Sequence, residues 1–346
     1  MNGETRAINR KTVARLMSAI AVFLRSRTGR KARLLLAALF LLMVCINGMN
    51  VINSFVGRYF MTAIENRDEG GFFRYAWLYA AVFGASTLVA VLFRFTEERL
   101  GLLWREWLTR RITGVYIERH LFEHFECEYE VSNPDQRMTE DVRALTTATL
   151  SFVLMIINGT LTIFSFSGVL WNISPKLFLV AVLYALVGSL FTIWLGRPLI
   201  RLNYRQADFE ADFRADLIEI DRTGDLIIAT GTELKVKERI NERIDKVVSN
   251  LRHIISINRN LNFFTTGYNY LIQLIPVLIV APLFIHGKVE FGVIGQSAMA
   301  FATLLGAFSL IITQFQAISS YASVVTRLSE FVEHAERCGR NGSSAE

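Results

Sequence analysis

Hydrophobic positions along this chain gather into six blocks of about 20 residues without a single Asp, Glu, Lys, Arg or His. They are Leu34–Val56, Tyr75–Phe93, Leu150–Trp171, Leu177–Gly196, Phe263–Ile285 and Phe291–Phe315. A helix of a water-soluble bundle keeps a polar face for solvent, and these blocks have no charged face, so lipid is the predicted solvent. The pattern predicts an all-α integral membrane protein with six transmembrane helices. Between the blocks the apolar residues return at helical spacing. In residues 94–149, Leu103, Trp107, Val115 and Leu121 or Phe122 mark one face, and Arg99, Glu106, Arg110, Arg111, Glu118 and Arg119 fill the other. Span two is therefore expected to run as one helix from Tyr75 to about Phe125, on the order of 75 Å, where about 30 Å crosses a bilayer. The excess must project from the membrane.

Residues 197–262 repeat this plan, with 197–222 leaving span four and 235–260 returning to span five. Thr223-Gly224-Asp225 and Thr230-Gly231-Thr232 are turn chemistry around a short apolar segment, Leu226–Ala229, and Ser132-Asn133-Pro134-Asp135 marks the matching turn of the first projection. Each projection, 94–149 and 197–262, is predicted to go out, turn through a short tip element and come back. The loops on the other side are short: 18 residues between spans one and two, and five each in 172–176 and 286–290.

Charge sets the orientation. Of the 37 Lys and Arg residues, 32 lie in 1–33, 94–149, 197–262 and 316–346, and only Arg58, Arg67, Arg74, Lys176 and Lys288 lie on the other side. The positive-inside rule then places both termini and both projections in the cytoplasm. The net charge of +6 follows from this topology and calls for no nucleic-acid partner. With 52% hydrophobic and 20% charged residues, the composition argues against a water-soluble enzyme of one or two domains. Residues 1–33 form a basic, amphipathic segment without the short apolar core and cleavage site of a signal peptide, and read either as a positive flank or as a helix lying on anionic lipid. The three cysteines, Cys45, Cys127 and Cys338, have no obvious pairing and fit a reducing compartment. His120, His124 and Cys127 share a helix face but sit among glutamates of a solvated surface, so no metal is expected.

Six spans with two long helical projections on one side look like the transmembrane domain of an exporter-type ABC transporter. The segment Asn133-Pro134-Asp135-Gln136-Arg137-Met138-Thr139-Glu140-Asp141-Val142 resembles the first-loop motif of the branch that holds subfamily D (peroxisomal-type) half-transporters and SbmA/BacA-type peptide transporters. Ala211-Asp212-Phe213-Arg214, followed by Asp225, Ile227, Gly231 and Glu233, resembles that branch's EAA-like segment and departs from it at Gly224 and Ile228. The resemblance covers 34–335 as one membrane domain, before a polar tail at 336–346. It implies a domain-swapped homodimer or heterodimer with alternating access. It also implies that the projection tips dock an ATPase through Asn133, Asp135, Gln136, Arg137, Glu140, Asp141, Asp225, Ile227, Gly231 and Glu233. The local alternative is that Asn133 and Asp135 cap a helix and Arg137 pairs with Glu140 or Asp141.

These 346 residues contain no G-x-x-x-x-G-K-[ST] phosphate loop, so no catalytic residues and no cofactor are expected in the chain itself. ATP would act only through a partner or missing ATPase domain. Nor does an H-E-x-x-H or G-x-S-x-G pattern occur. Three arrangements stay open: an SbmA/BacA-like permease driven by protons, the membrane subunit of a split ABC system, and the membrane part of a longer fused half-transporter. Proton coupling needs an ionisable group in the pathway, and the candidates are Glu65, Glu97, Glu98 and Glu290 at the ends of the spans, each also readable as a solvated charge. The spans carry amides instead: Asn47, Asn50 and Asn53 on one face of span one, Asn269 and Gln273 on span five, and Gln296 in span six. They suit a cavity for peptide-like or amphiphilic solutes or, alternatively, interhelical hydrogen bonding. Pro276 and Pro282 make span five a candidate kinked element. The expected protein is a permease of a bacterial inner membrane, with lipid and a second such half as partners and solute uptake as its task.

Overall fold

The computed structural model describes residues 21–26, 28–118, 137–314, 321, 324, 325 and 328. Among the described residues six long helices make up the fold: α1 (Gly29–Glu65), α2 (Glu69–Glu118), α3 (Val142–Ile173), α4 (Pro175–Thr230), α5 (Glu233–Ile285) and α6 (Gly292–Thr313). Helices α1 to α5 each contain one of the charge-free blocks, α6 lies within the sixth, and all six are long and apolar enough to cross a membrane. The all-α, six-span architecture is therefore as the hydrophobic pattern predicts. Large side chains such as Trp77, Phe164, Leu190 and Phe263 stay exposed along these helices, as they do when the surrounding solvent is lipid.

The 18-residue loop expected after span one is not a loop. α1 runs on to Glu65 and α2 begins at Glu69, so the connection shrinks to a tight turn. Arg67 takes a left-handed conformation there (φ 55°), and Asp68 Oδ1 accepts a bond from the Gly71 amide. The two helices are held together beyond the charge-free blocks by ring contacts, Tyr59 with Tyr75 at 5.5 Å and Phe60 with Phe72 at 5.2 Å. Span-length counting stops at the first charge, Arg58, but helix does not: a charged residue in the headgroup zone leaves helical geometry intact.

By its internal contacts the chain divides into two compact units, Met1–Phe178 with Val280–Glu346, and Leu179–Ile279. In the first, α1, α2 and α3 share a core of Ala32, Leu39, Met43, Leu100, Trp104, Leu150 and Leu154, onto which Phe23 folds. Phe23 stacks on Trp104 and tilts against Trp107, so residues 21–26 lie against the α2 projection. A second cluster, Ile112, Val142 and Leu145, takes in Val325 and Leu328 and holds the base of the first projection. α3 also packs on α6, where Phe166, Leu170, Phe301 and Leu304 are fully buried.

The second unit is the α4–α5 hairpin. Tyr184 and Tyr268 stack face to face with centroids 4.3 Å apart, and each hydroxyl donates to the other residue's carbonyl oxygen, at 2.8 and 3.2 Å. Gly188 makes this approach possible, because a Cβ there would overlap the Tyr268 ring. Farther out, buried Asn250 donates to the Leu202 carbonyl and to Gln206 Oε1. Arg243 then binds Asp212 and Asp216, each at 2.9 Å, and the two carboxylates hold the guanidinium pKa above its ordinary value. Pro276 and Pro282 both lie inside the single helix Glu233–Ile285.

Candidate coupling tips and pathway residues

The second projection ends in the predicted short element. Helical geometry breaks at Thr223 (φ −113°, ψ 16°), so residues 224–230 form a separate helical turn at the tip. Gly231 then reverses the chain with φ +63°, a conformation that costs side-chain-bearing residues steric strain and glycine little. The Thr232 amide closes the turn on the Ile227 carbonyl at 3.2 Å. Asp225 and Ile228 are exposed and Ile227 is half-buried, with Glu233 opening the return helix. The tip thus presents the Asp225 carboxylate and the apolar Ile228 side chain on a closed turn.

At the first projection, Asn133, Asp135 and Gln136 lie outside the described residues, as do His120, His124 and Cys127. Arg137–Asp141 form one π-helical turn leading into α3. Asp141 is 4% exposed while Glu140 stays at the surface, so the motif divides between an inward anchor and an outward charge. Beneath it, Thr149 Oγ1 and the Tyr321 hydroxyl share a hydrogen bond of 2.7 Å.

The span amides separate into different kinds. Asn47 is 3% exposed and fully engaged: its Nδ2 donates to Met43 O and Asn158 Oδ1, both at 3.0 Å, and its Oδ1 accepts from Thr162 Oγ1 at 2.9 Å. It ties α1 to α3. Asn50, three residues on, is exposed, and so are Asn269 and Gln273 on α5. Asn53 Oδ1 and both amide atoms of Gln296 are buried without hydrogen-bond partners among the described residues. The Asn158 and Thr162 partners escaped sequence reading, although their i, i+4 spacing within a charge-free block was a usable signal.

The carboxylates also differ. Glu290 accepts from Arg58 Nε at 3.1 Å, joining the loop before α6 to α1. Glu65 is exposed at the end of α1, and exposed Glu98 pairs with Arg94 at 3.7 Å. Glu97, just beyond the charge-free part of α2, is half-buried. That burial pushes its carboxyl pKa above the ordinary value against the pull of Arg94, and Glu98 adds a smaller push in the same direction. Among the described residues no cluster of His, Cys, Asp and Glu could hold a metal ion.

Comparison with known proteins fits this arrangement. The chain is 40% identical over 301 residues to an ABC transporter D family member 2, chloroplastic, of Arabidopsis thaliana, which covers 87% of this chain and 43% of that protein. It is 35% identical over 325 residues to an uncharacterized ABC transporter ATP-binding protein of Synechocystis, covering 92% and 49%. An inner membrane ABC transporter ATP-binding protein of Escherichia coli is 25% identical over 296 residues, covering 80% and 53%. The chain thus spans about half the length of the curated relatives it matches. Residues 20–285 match the family described as ABC transporter transmembrane region 2, and the chain belongs to that family of ABC transporter membrane domains.

Proposed function

We propose that the chain is the membrane-spanning half of an ATP-driven transporter of the D-family type. It pairs with a second half, and its projections dock nucleotide-binding domains, carried on the same polypeptide or on a separate subunit. The observation that carries this reading is the tip of the second projection: a short helical turn, cut off by the break at Thr223 and locked by Gly231, with Asp225 and Ile228 free to meet another domain. A rigid element at the end of a long helical lever transmits force to the spans. The relatives named as ATP-binding proteins, about twice as long over the same membrane region, support an ATPase as the other end of that lever. The α4–α5 hairpin is a unit in its own right, which supports exchange of that hairpin between the two halves of a dimer.

The exposed amides Asn50, Asn269 and Gln273 suit a pathway for peptide-like or amphiphilic solutes, because they offer donors and acceptors without charge. The membrane is the bacterial inner membrane, with termini and projections in the cytoplasm by the 32 to 5 distribution of basic residues. Proton-driven, SbmA/BacA-like peptide uptake is the second reading, and one observation favours it: the half-buried Glu97, whose raised pKa brings protonation closer to neutral pH.

One experiment separates the two. The protein is purified from its host in mild detergent, its mass and partners are read by native mass spectrometry, and it is reconstituted with a fluorescent peptide. A nucleotide-binding domain in the complex, with flux that requires ATP, supports the first reading. Flux without nucleotide that a protonophore stops would overturn it in favour of the second.

A further inference from the structure

Where the chain turns between its short-loop helix ends, the first unit has an open-sided cavity of about 380 Å³, lined by Phe55 and Arg58 of α1, Asn172 of α3, Lys288 and Glu290 of the loop before α6, and Gln296 of α6. That volume falls within the range of small-ligand pockets, ~300–1,000 Å³. Gln296 is 3% exposed, yet neither Nε2 nor Oε1 has a partner among the described residues. Buried amides are almost always hydrogen-bonded, so one that lines a cavity with its whole donor and acceptor set unused asks for a ligand. It sits four residues into α6, about 6 Å along the axis from the helix start, and therefore forms the floor beneath the loop.

The rim is cationic. Arg58 meets Glu290 through Nε and lies over the Tyr59 ring at 5.5 Å, which leaves its two Nη groups without hydrogen-bond partners among the described residues. Lys288 is exposed and forms no ion pair among them. Two cations face one carboxylate. Bound water could hydrate Gln296 but does nothing for this excess of positive charge, whereas an oxyanion answers both: its charge meets Arg58 and Lys288, and a deeper oxygen accepts from Gln296 Nε2. Oε1 remains to accept from a hydroxyl or amine. We propose that this cavity binds a small oxyanionic headgroup, a phosphate or carboxylate bearing a hydrogen-bonding substituent, with Gln296 as its floor and Arg58 and Lys288 as its rim. The level of the cavity, where span six meets its short loop, opens two sources for this group: a free anion, or the phosphate of a lipid in the adjoining leaflet. The site does not depend on which energy source drives transport.

The test uses the full chain, delipidated in a maltoside detergent and phosphate-free buffer. Inorganic phosphate and dihexanoyl phosphatidic acid are titrated by isothermal calorimetry. Saturable binding of inorganic phosphate identifies a solute site, and saturable binding of the short-chain lipid alone identifies a lipid site; both support the proposal. Gln296→Leu and Lys288→Glu are each expected to weaken binding at least tenfold. Lys288 lies in an exposed loop, so its variant keeps the test decisive if Gln296→Leu does not fold. Absence of saturable binding of either probe, or wild-type binding by the Lys288→Glu variant, overturns the proposal.

Discussion

Replacing Asn47 by Leu keeps the side-chain volume roughly constant and deletes the polar link between α1 and α3. The structure assigns Asn47 two interhelical hydrogen bonds, to Asn158 Oδ1 at 3.0 Å and from Thr162 Oγ1 at 2.9 Å, plus one within its own helix to Met43 O. Interhelical bonds in membrane proteins contribute about 0.6 kcal/mol each, with a maximum near 1.7. Loss of both should therefore cost roughly 1–2 kcal/mol, because Asn158 is exposed and Thr162 half-buried and each finds another partner more easily than a sealed group would. The assay is unfolding in mixed micelles, run as a double-mutant cycle of Asn47→Leu with Thr162→Val, for which a coupling of about 0.6 kcal/mol is expected. Solute preference of the folded Asn47→Leu protein should match wild type. Unchanged stability with zero coupling, together with an altered preference, would refute the packing assignment and place Asn47 in the pathway.

Asn50 faces outward one turn later, so Asn50→Leu should change which solutes are carried while expression and stability hold; competition uptake with a peptide series measures this. Reversing a charge at each projection, Arg137→Glu with Asp225→Lys, should leave the membrane assembly intact by size-exclusion chromatography and stop transport, and undiminished flux would remove both residues from coupling. A side chain at Gly188 meets the Tyr268 ring, so Gly188→Val should separate the Tyr184 stack and lower the thermal midpoint by several degrees, whereas Gly168→Val, at a glycine with open space around it, should not. Gln296→Leu should stabilise the empty protein by about 1–3 kcal/mol, since it removes a buried amide that has no partner among the described residues.

The projections were legible because they rest on local rules. Helical periodicity after Phe93 predicted that α2 would continue, and the Thr-Gly pairs at 223–224 and 230–231 marked both ends of the second tip. The α1–α2 connection was misjudged for an equally local reason: charge-free length was taken as helix length, although Tyr59, Phe60, Phe72 and Tyr75 supplied an aromatic seam that keeps both helices wound. The six amides looked alike as letters. Asn47 and Asn50 differ by three residues, and only the position of α3 makes one a buried clamp and the other an exposed group.

By itself the sequence determined the solvent, the number of spans and the run of the helices beyond them, because transfer of charge into lipid and helical periodicity are properties of short stretches of chain. The tertiary structure alone decided which polar side chains are satisfied. Arg58 and Glu290 are 232 residues apart, and Tyr184 and Tyr268 are 84 apart. A hydrogen bond acts over about 3 Å, and no local pattern encodes which distant helix will bring its partner within that reach.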